Sequence, residues 1–150
     1  MYKDEAVLID VDGVLLDTEY IFKEILDLKL KGDAKWDYFM KHCNSDRTEH
    51  FKNFLELWYC LSNRYKIFIS TARNEKCKQD TLYKLAKGCF FTTEDNLLMR
   101  KENDYRPATE VKKDHLLQVM KNFNVVVFID DDIANCRMAK ELGVLALWKV

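Results

Sequence analysis

The stretch Ala6-Val7-Leu8-Ile9-Asp10-Val11-Asp12-Gly13-Val14-Leu15-Leu16-Asp17-Thr18 decides how the rest of the chain is read. Four apolar residues end in two aspartates one residue apart, and a glycine follows at once. A short apolar run bounded by a turn signal reads as a buried strand. Acids at the C-terminal end of such a strand stand where open α/β sheets hold their ligands. Burying two carboxylates without partners is costly, so a cation or a proton is expected beside them. The plain alternative is that Asp10 and Asp12 only end a strand and start a turn.

The remainder of the sequence narrows the choice. At 150 residues the chain suits one domain, spanning residues 1–150, with a substantial core. Apolar residues make up 48% and charged residues 33%, as in ordinary globular proteins. Lys and Arg total 24 against 25 Asp and Glu, so no global field attracts polyanions. This argues against a nucleic-acid coat or a membrane-surface protein, but not against an enzyme that grips one nucleic-acid end. Five scattered cysteines (Cys43, Cys60, Cys77, Cys89 and Cys136), with no C-x-x-C pair, point to reduced thiols rather than a zinc cluster or disulfide framework. Acidic residues interrupt the opening stretch where a signal peptide would be apolar, and no apolar run reaches membrane-spanning length. The expectation is a soluble, intracellular, cytoplasmic protein with no membrane partner.

Apolar runs predict strands at Ala6–Ile9, Lys66–Ile69, Cys89–Phe91, Val125–Ile129 and Val144–Leu147, with Leu97–Met99 as a short addition. Helical spacing predicts Tyr20–Leu30, Trp36–His42, Glu49–Leu61, Glu75–Ala86, Glu110–Asn122 and Ile133–Leu142. Strands alternating with helices, several of them apolar throughout, imply an α/β fold: a three-layer, doubly wound, Rossmann-like parallel sheet. Residues 17–63 form a helical, aromatic-rich insertion after the first strand. They read either as extra helices packed on the sheet or as a minimal cap over the carboxylates.

Three further stretches carry chemistry. Lys66-Ile67-Phe68-Ile69-Ser70-Thr71-Ala72-Arg73 is a strand ending in hydroxyls, a small residue and an arginine. Val125-Val126-Val127-Phe128-Ile129-Asp130-Asp131-Asp132 is another acid-tipped strand, with Asn135 shortly after it. Like charges ~4 Å apart repel by about 4 kcal/mol at an effective dielectric of about 20, which a hard cation such as Mg²⁺ relieves. Asp132 reads instead as a solvated cap of the helix that follows. Between these two stretches, Lys112 and Lys113 stand early in a helix.

In this order and on these elements, the four stretches resemble motifs I, II, III and IV of the haloacid dehalogenase superfamily of phosphotransferases. The resemblance implies that Asp10 is the nucleophile and Asp12 the general acid/base. It implies that Thr71 (ahead of Ser70) donates to the phosphoryl group and that Lys112 (ahead of Lys113) supplies the cation. Mg²⁺ would then be held by Asp10, Asp12 through its main-chain carbonyl, and Asp130 or Asp131. Asp12 suits phosphoryl transfer rather than carbon–halogen chemistry.

Met99-Arg100, Asp104-Tyr105-Arg106 and Val111-Lys112, followed by Ile129-Asp130-Asp131 and Leu142-Gly143-Val144, are similar to the phosphatase domain of phage-type polynucleotide kinase-phosphatases. That likeness adds Arg100, matching an arginine upstream of the lysine that also serves catalysis, and Arg100 and the motif II Arg73 are expected to bind substrate. Its substrate would be a phosphorylated nucleic-acid end, losing a 3′-phosphate through an aspartyl-phosphate. One departure is Ala108, where an aspartate stands four residues before the lysine, and no glycine-rich kinase loop occurs in the 150 residues. From Arg73 to Lys87 five basic residues face two acidic ones, a local excess suited to a phosphate backbone or simply to a solvated helix. The alternatives kept open are a small-molecule nucleotidase with a nucleotide substrate, a protein phosphatase, and a non-catalytic phosphate-binding module.

Overall fold

In the computed structural model, which describes residues 3–150, the run ahead of Asp10 is strand β1 (Asp4–Ile9). Its last four residues are wholly buried, which explains why the run is apolar without alternation. The chain continues through β2 (Leu16–Asp17), α1 (Glu19–Asp27), α2 (Gly32–His42), β3 (Glu49–His50), α3 (Leu55–Ser62) and β4 (Lys66–Asn74). After these come α4 (Lys78–Lys87), β5 (Leu97–Arg100), α5 (Ala108–Met120), β6 (Phe123–Asp130), α6 (Ile133–Glu141) and β7 (Leu145–Trp148).

Five strands pair in parallel in the order β5-β4-β1-β6-β7. Ile9 is level with Ile69 on one side and with Ile129 on the other, so three motif-bearing strand ends stand side by side. Chain progression along the sheet reverses between β1 and β6, which opens a crevice at their C-terminal ends. Alternation along β1 divides the core. Val7 and Ile9 pack with Trp58, Leu85 and Phe90 on one face. Ala6 and Leu8 pack with Phe68, Leu116, Phe128 and Ala139 on the other. Each fully buried Leu, Ile or Phe side chain contributes about 1.5–3 kcal/mol.

The insertion has a small core of its own, Ile21, Ile25, Phe39 and Cys43. It is also tied to the body. β2 and β3 pair antiparallel through Leu16↔His50 and Asp17↔Glu49. The Lys84 ammonium donates to the Ser45 carbonyl at 2.8 Å, and the His50 ring bonds the Lys84 carbonyl at 2.6 Å. Gly88 lies so close to that ring that a Cβ would fall 2.1 Å from His50 Cδ2, which excludes any side chain there.

Two predicted elements differ. Cys89–Phe91 is not a strand. It follows the end of α4, with Cys89 at φ +65° and the Phe90 N–H bonded to the Leu85 carbonyl, which drives Phe90 into the core against Trp58. The neighbouring strand is the short one at Leu97. The helix expected over Glu49–Leu61 starts only at Leu55, because Glu49 and His50 are used in pairing with β2.

Candidate active site

Asp10 leaves β1 with its N–H still bonded to the Ile129 carbonyl at 2.9 Å, and its Oδ1 accepts the Val11 N–H at 2.8 Å. By alternation Asp10 follows Ala6 and Leu8, and Asp130 follows Phe128, toward the face covered by α5. Lys112, in the second turn of α5, reaches both acids. Its Nζ stands 2.8 Å from Asp10 Oδ1 and 2.5 Å from Asp130 Oδ2, and all three residues are buried. Asp130 Oδ1 accepts the Asp132 N–H at 2.9 Å and Asn135 Nδ2 at 3.1 Å. The Thr109 hydroxyl in turn bonds Asn135 Oδ1 at 2.8 Å.

Carboxylate oxygens of Asp10, Asp130 and Asp131 all lie within 4.8 Å of one another. Burial first, then the neighbouring Asp130 and Asp12, push the Asp10 carboxyl well above its ordinary range, against the pull of Lys112. Burial and Asp130 also raise Asp131. Burial would lower the Lys112 ammonium, but attraction to Asp10 and Asp130 wins and raises it. Three acids facing the one buried ammonium leave an excess of negative charge that protonation or a cation must relieve. That excess, carried by hard oxygen donors only, fits a divalent cation such as Mg²⁺. Gly13 packs against the trio at φ +82°, and a Cβ there would sit 1.9 Å from Asp131 Oδ2. Only glycine lets the loop after β1 pass this close.

The Asp12 carboxylate turns the other way, to Arg73 near the end of β4. Arg73 Nε donates to both Asp12 oxygens at 3.2 and 3.0 Å, and Nη2 donates to Oδ1 at 2.7 Å. Its remaining donors go to Asn44 Oδ1 (2.6 Å), Thr81 Oγ1 (3.2 Å) and the Cys43 carbonyl (3.3 Å). With its side chain 0% exposed, the guanidinium has every donor engaged within the protein. From the sequence Arg73 is expected to bind substrate; in this arrangement its N–H groups go to Asp12, Asn44, Thr81 and the Cys43 carbonyl.

Ser70 and Thr71 point to opposite sides of β4. Ser70 Oγ bonds His115 Nδ1 at 2.9 Å under α5. Thr71 Oγ1 accepts the Arg73 N–H at 3.2 Å, beside the Asp12 pair. The residue that caps the turn at Glu75–Cys77 is Asn74, whose side chain accepts from the Lys76 N–H, so Thr71 is not needed as a cap. Arg100 is braced by the carbonyls of Ala72 (3.0 Å), Asp104 (3.0 Å) and Arg106 (2.5 Å), and its Nη2 has no partner among the described residues. Asp132 is the α6 N-cap, accepting from the Ala134 N–H at 2.8 Å. The basic excess after β4 is not one surface face, because Arg73 and Lys84 are buried and Lys76 pairs with Glu102.

Asp10, Lys112, Asp130 and Asp131 thus form one cluster. Asp12, Arg73 and Thr71 adjoin it, and Arg100 stands apart on β5. Asn44 and Thr81 carry no signal in the sequence, because neither lies in a motif. Lys149 had no signal either, yet it closes the far side. Its N–H bonds the Asp130 carbonyl (2.9 Å), its Nζ bonds the Gly13 carbonyl (2.9 Å), and it lies over the Phe51 ring.

Residues 2–141 match the family model described as HAD superfamily, subfamily IIIB (Acid phosphatase). No curated protein sequence matches the chain. Among solved structures, a chain of the Pnkp1/Rnl/Hen1 RNA repair complex aligns with a TM-score of 0.74 at 21% identity, over 97% of this chain and 42% of its own. A class C acid phosphatase from Bacillus anthracis aligns with a TM-score of 0.67 at 19% identity, over 90% of this chain and 54% of its own. A haloacid dehalogenase-like hydrolase from Streptococcus pneumoniae aligns with a TM-score of 0.66 at 18% identity, over 98% of this chain and 84% of its own. The chain therefore spans less than half of the RNA-repair protein it resembles. These identities speak to the fold alone.

Proposed function

We propose that this chain, which belongs to the HAD superfamily, subfamily IIIB, removes 3′-phosphates from polynucleotide ends through an aspartyl-phosphate on Asp10. Its family makes it a phosphatase, a phosphoric monoester hydrolase. The observation that carries the reading is Asp10, buried against Lys112 and two further acids, with a second carboxylate two residues on held by Arg73.

In this reading an Asp10 oxygen forms the bond to phosphorus as the bond to the leaving oxygen breaks. Asp12 donates its proton to that leaving oxygen, then accepts one from the water that hydrolyses the aspartyl-phosphate. Lys112 holds the Asp10 carboxylate in place and offsets its charge as a phosphate dianion approaches. The Thr71 hydroxyl serves the equatorial oxygens, and the remaining Arg100 donors bind the substrate farther from phosphorus. Asp10, Asp130, Asp131 and the Asp12 main-chain carbonyl would hold Mg²⁺, which when bound supplies charge neutralisation and a template. Residues 17–63 act as a minimal docked cap on one domain. The setting we assign is a reducing cytoplasm, supported by five free thiols. No described helix is long and apolar enough to cross a membrane.

Support for a polynucleotide substrate comes from motif spacing around Arg100 and Lys112 and from the likeness to the RNA-repair chain. The second reading, a small-molecule nucleotidase, is favoured by the docking of Cys43 and Asn44 onto Arg73, which brings the cap close to Asp12. Rates on 3′-phosphorylated oligonucleotides and on a mononucleotide panel, with and without Mg²⁺, separate the two. A kcat/KM at least about tenfold higher on the oligonucleotides supports the first. Comparable values on both sets favour the nucleotidase.

A further inference from the structure

Asn44 stands in the turn after α2, in no motif, and is wired to the candidate proton donor through one intervening side chain. We propose that Asn44 is a positioning residue for proton transfer by Asp12, acting through Arg73. The inference rests on the reading of Asp12 as general acid.

Arg73 grips both oxygens of Asp12, so the plane of its guanidinium sets where that carboxyl points. What orients the plane lies on its far edge. Nη1 donates to Asn44 Oδ1 at 2.6 Å and to Thr81 Oγ1 at 3.2 Å, while Nη2 reaches the Cys43 carbonyl at 3.3 Å. Asn44 Nδ2 donates to the same Thr81 oxygen at 3.3 Å, closing a ring of bonds across the cap, α4 and β4. The ring fixes the amide, because turning it over would set an NH₂ group against the guanidinium.

Cap docking does not depend on Asn44. The Lys84–Ser45 bond, the His50–Lys84 bond and the β2/β3 pairing hold the cap independently. Loss of the Asn44 amide therefore leaves the cap seated, with a buried guanidinium lacking one acceptor. That guanidinium turns to find another, and the Asp12 carboxyl turns with it. Catalytic groups tolerate displacements of only about 0.5 Å or 10–20°.

A misplaced proton donor has a signature that a loosened fold lacks. It slows esters whose leaving oxygen needs a proton and spares those whose leaving group departs unaided. The experiment compares kcat/KM for glycerol phosphate and p-nitrophenyl phosphate, which reports the steps through phosphoryl transfer. For Asn44→Ala, the alkyl ester is expected to lose about 10–100-fold and the aryl ester less than about threefold, with thermal unfolding little changed. Asn44→Gln keeps the amide but shifts its oxygen by a methylene, and is expected to move the ratio in the same direction by less. It serves as the test should the alanine variant fold poorly. Asp12→Asn is the reference and is expected to show the larger loss of the same kind. An unchanged alkyl-to-aryl ratio in folded Asn44 variants, alongside a shifted ratio in Asp12→Asn, overturns the inference and leaves the proton-donor reading standing. An unchanged ratio in Asp12→Asn overturns that reading itself.

Discussion

Lys112 holds two buried carboxylates with one ammonium, and this sets what its replacement does. Lys112→Met leaves Asp10 and Asp130 without a counter-charge, a defect that costs about 3–5 kcal/mol. For a domain of this size the melting temperature should fall by about 6–20 °C. Lys113→Met, at a half-exposed position with no ion pair among the described residues, should shift stability by less than about 0.5 kcal/mol. Calorimetry on both variants tests the choice of Lys112 over Lys113. Asp10→Asn is a different case: Lys112 keeps Asp130 as partner, so the fold should persist while phosphate release falls by about 10⁴-fold or more. Retained turnover in that variant refutes the nucleophile assignment. Residues at strand ends were legible in the sequence because an apolar run tipped by acids has few physical outcomes. Arg73 was legible as a residue, but its contacts were not. That it spends its donors on Asp12, Asn44, Thr81 and Cys43 depends on contacts 8 to 61 residues away.

Helix α5 is an element in which a buried histidine couples packing to pH. His115 bonds Ser70 on β4 through Nδ1 at 2.9 Å and the Met99 carbonyl on β5 through Nε2 at 3.2 Å. The neutral ring with its proton on Nε2 satisfies both contacts. Burial lowers its pKa to about 4, with Lys112 and Lys101 adding to the effect and the Met99 carbonyl and Asp114 opposing it. An unfolded histidine takes its proton near pH 6.5, so as pH falls from about 6.5 to about 4 the unfolded chain gains a proton that the native chain refuses. Stability therefore declines through that window and stays lost below it, by roughly 3 kcal/mol. Urea midpoints between pH 7 and 4 should show this slope, and His115→Gln should flatten that part of it. At the same scale, one apolar run departs from the strand that its composition predicts. Cys89–Phe91 is apolar because Phe90 fills the core after a helix end, and a three-residue run does not distinguish that from a strand. Conversely, β4 runs five residues beyond the predicted Ile69, through polar Ser70, Thr71 and Arg73, because the partners that bury those groups come from α5 and the insertion.

Across the whole molecule, the parallel sheet and its two faces followed from alternating apolar runs, but the strand order did not. The observed order β5-β4-β1-β6-β7 puts the acid-tipped ends of β1 and β6 beside each other, and with them the excess of acids over Lys112. That excess is a standing cost in the native state that the unfolded chain relaxes by separation. A divalent ion that binds the folded trio should therefore stabilise the entire domain, by about 2.7 kcal/mol at a concentration 100 times its Kd. That corresponds to a rise of about 5–11 °C in melting temperature. Chelation with EDTA should remove both the increment and the phosphatase activity, and Mg²⁺ should restore them together. Asp131→Asn takes away one acid of that excess and one ligand, so its melting temperature without metal should hold or rise while its Mg²⁺ increment shrinks. Asp132→Asn, which retains a capping side chain outside the trio, should keep the increment in full. A melting temperature indifferent to Mg²⁺ in both wild type and Asp131→Asn would mean that Lys112 alone balances the cluster and that no metal belongs there.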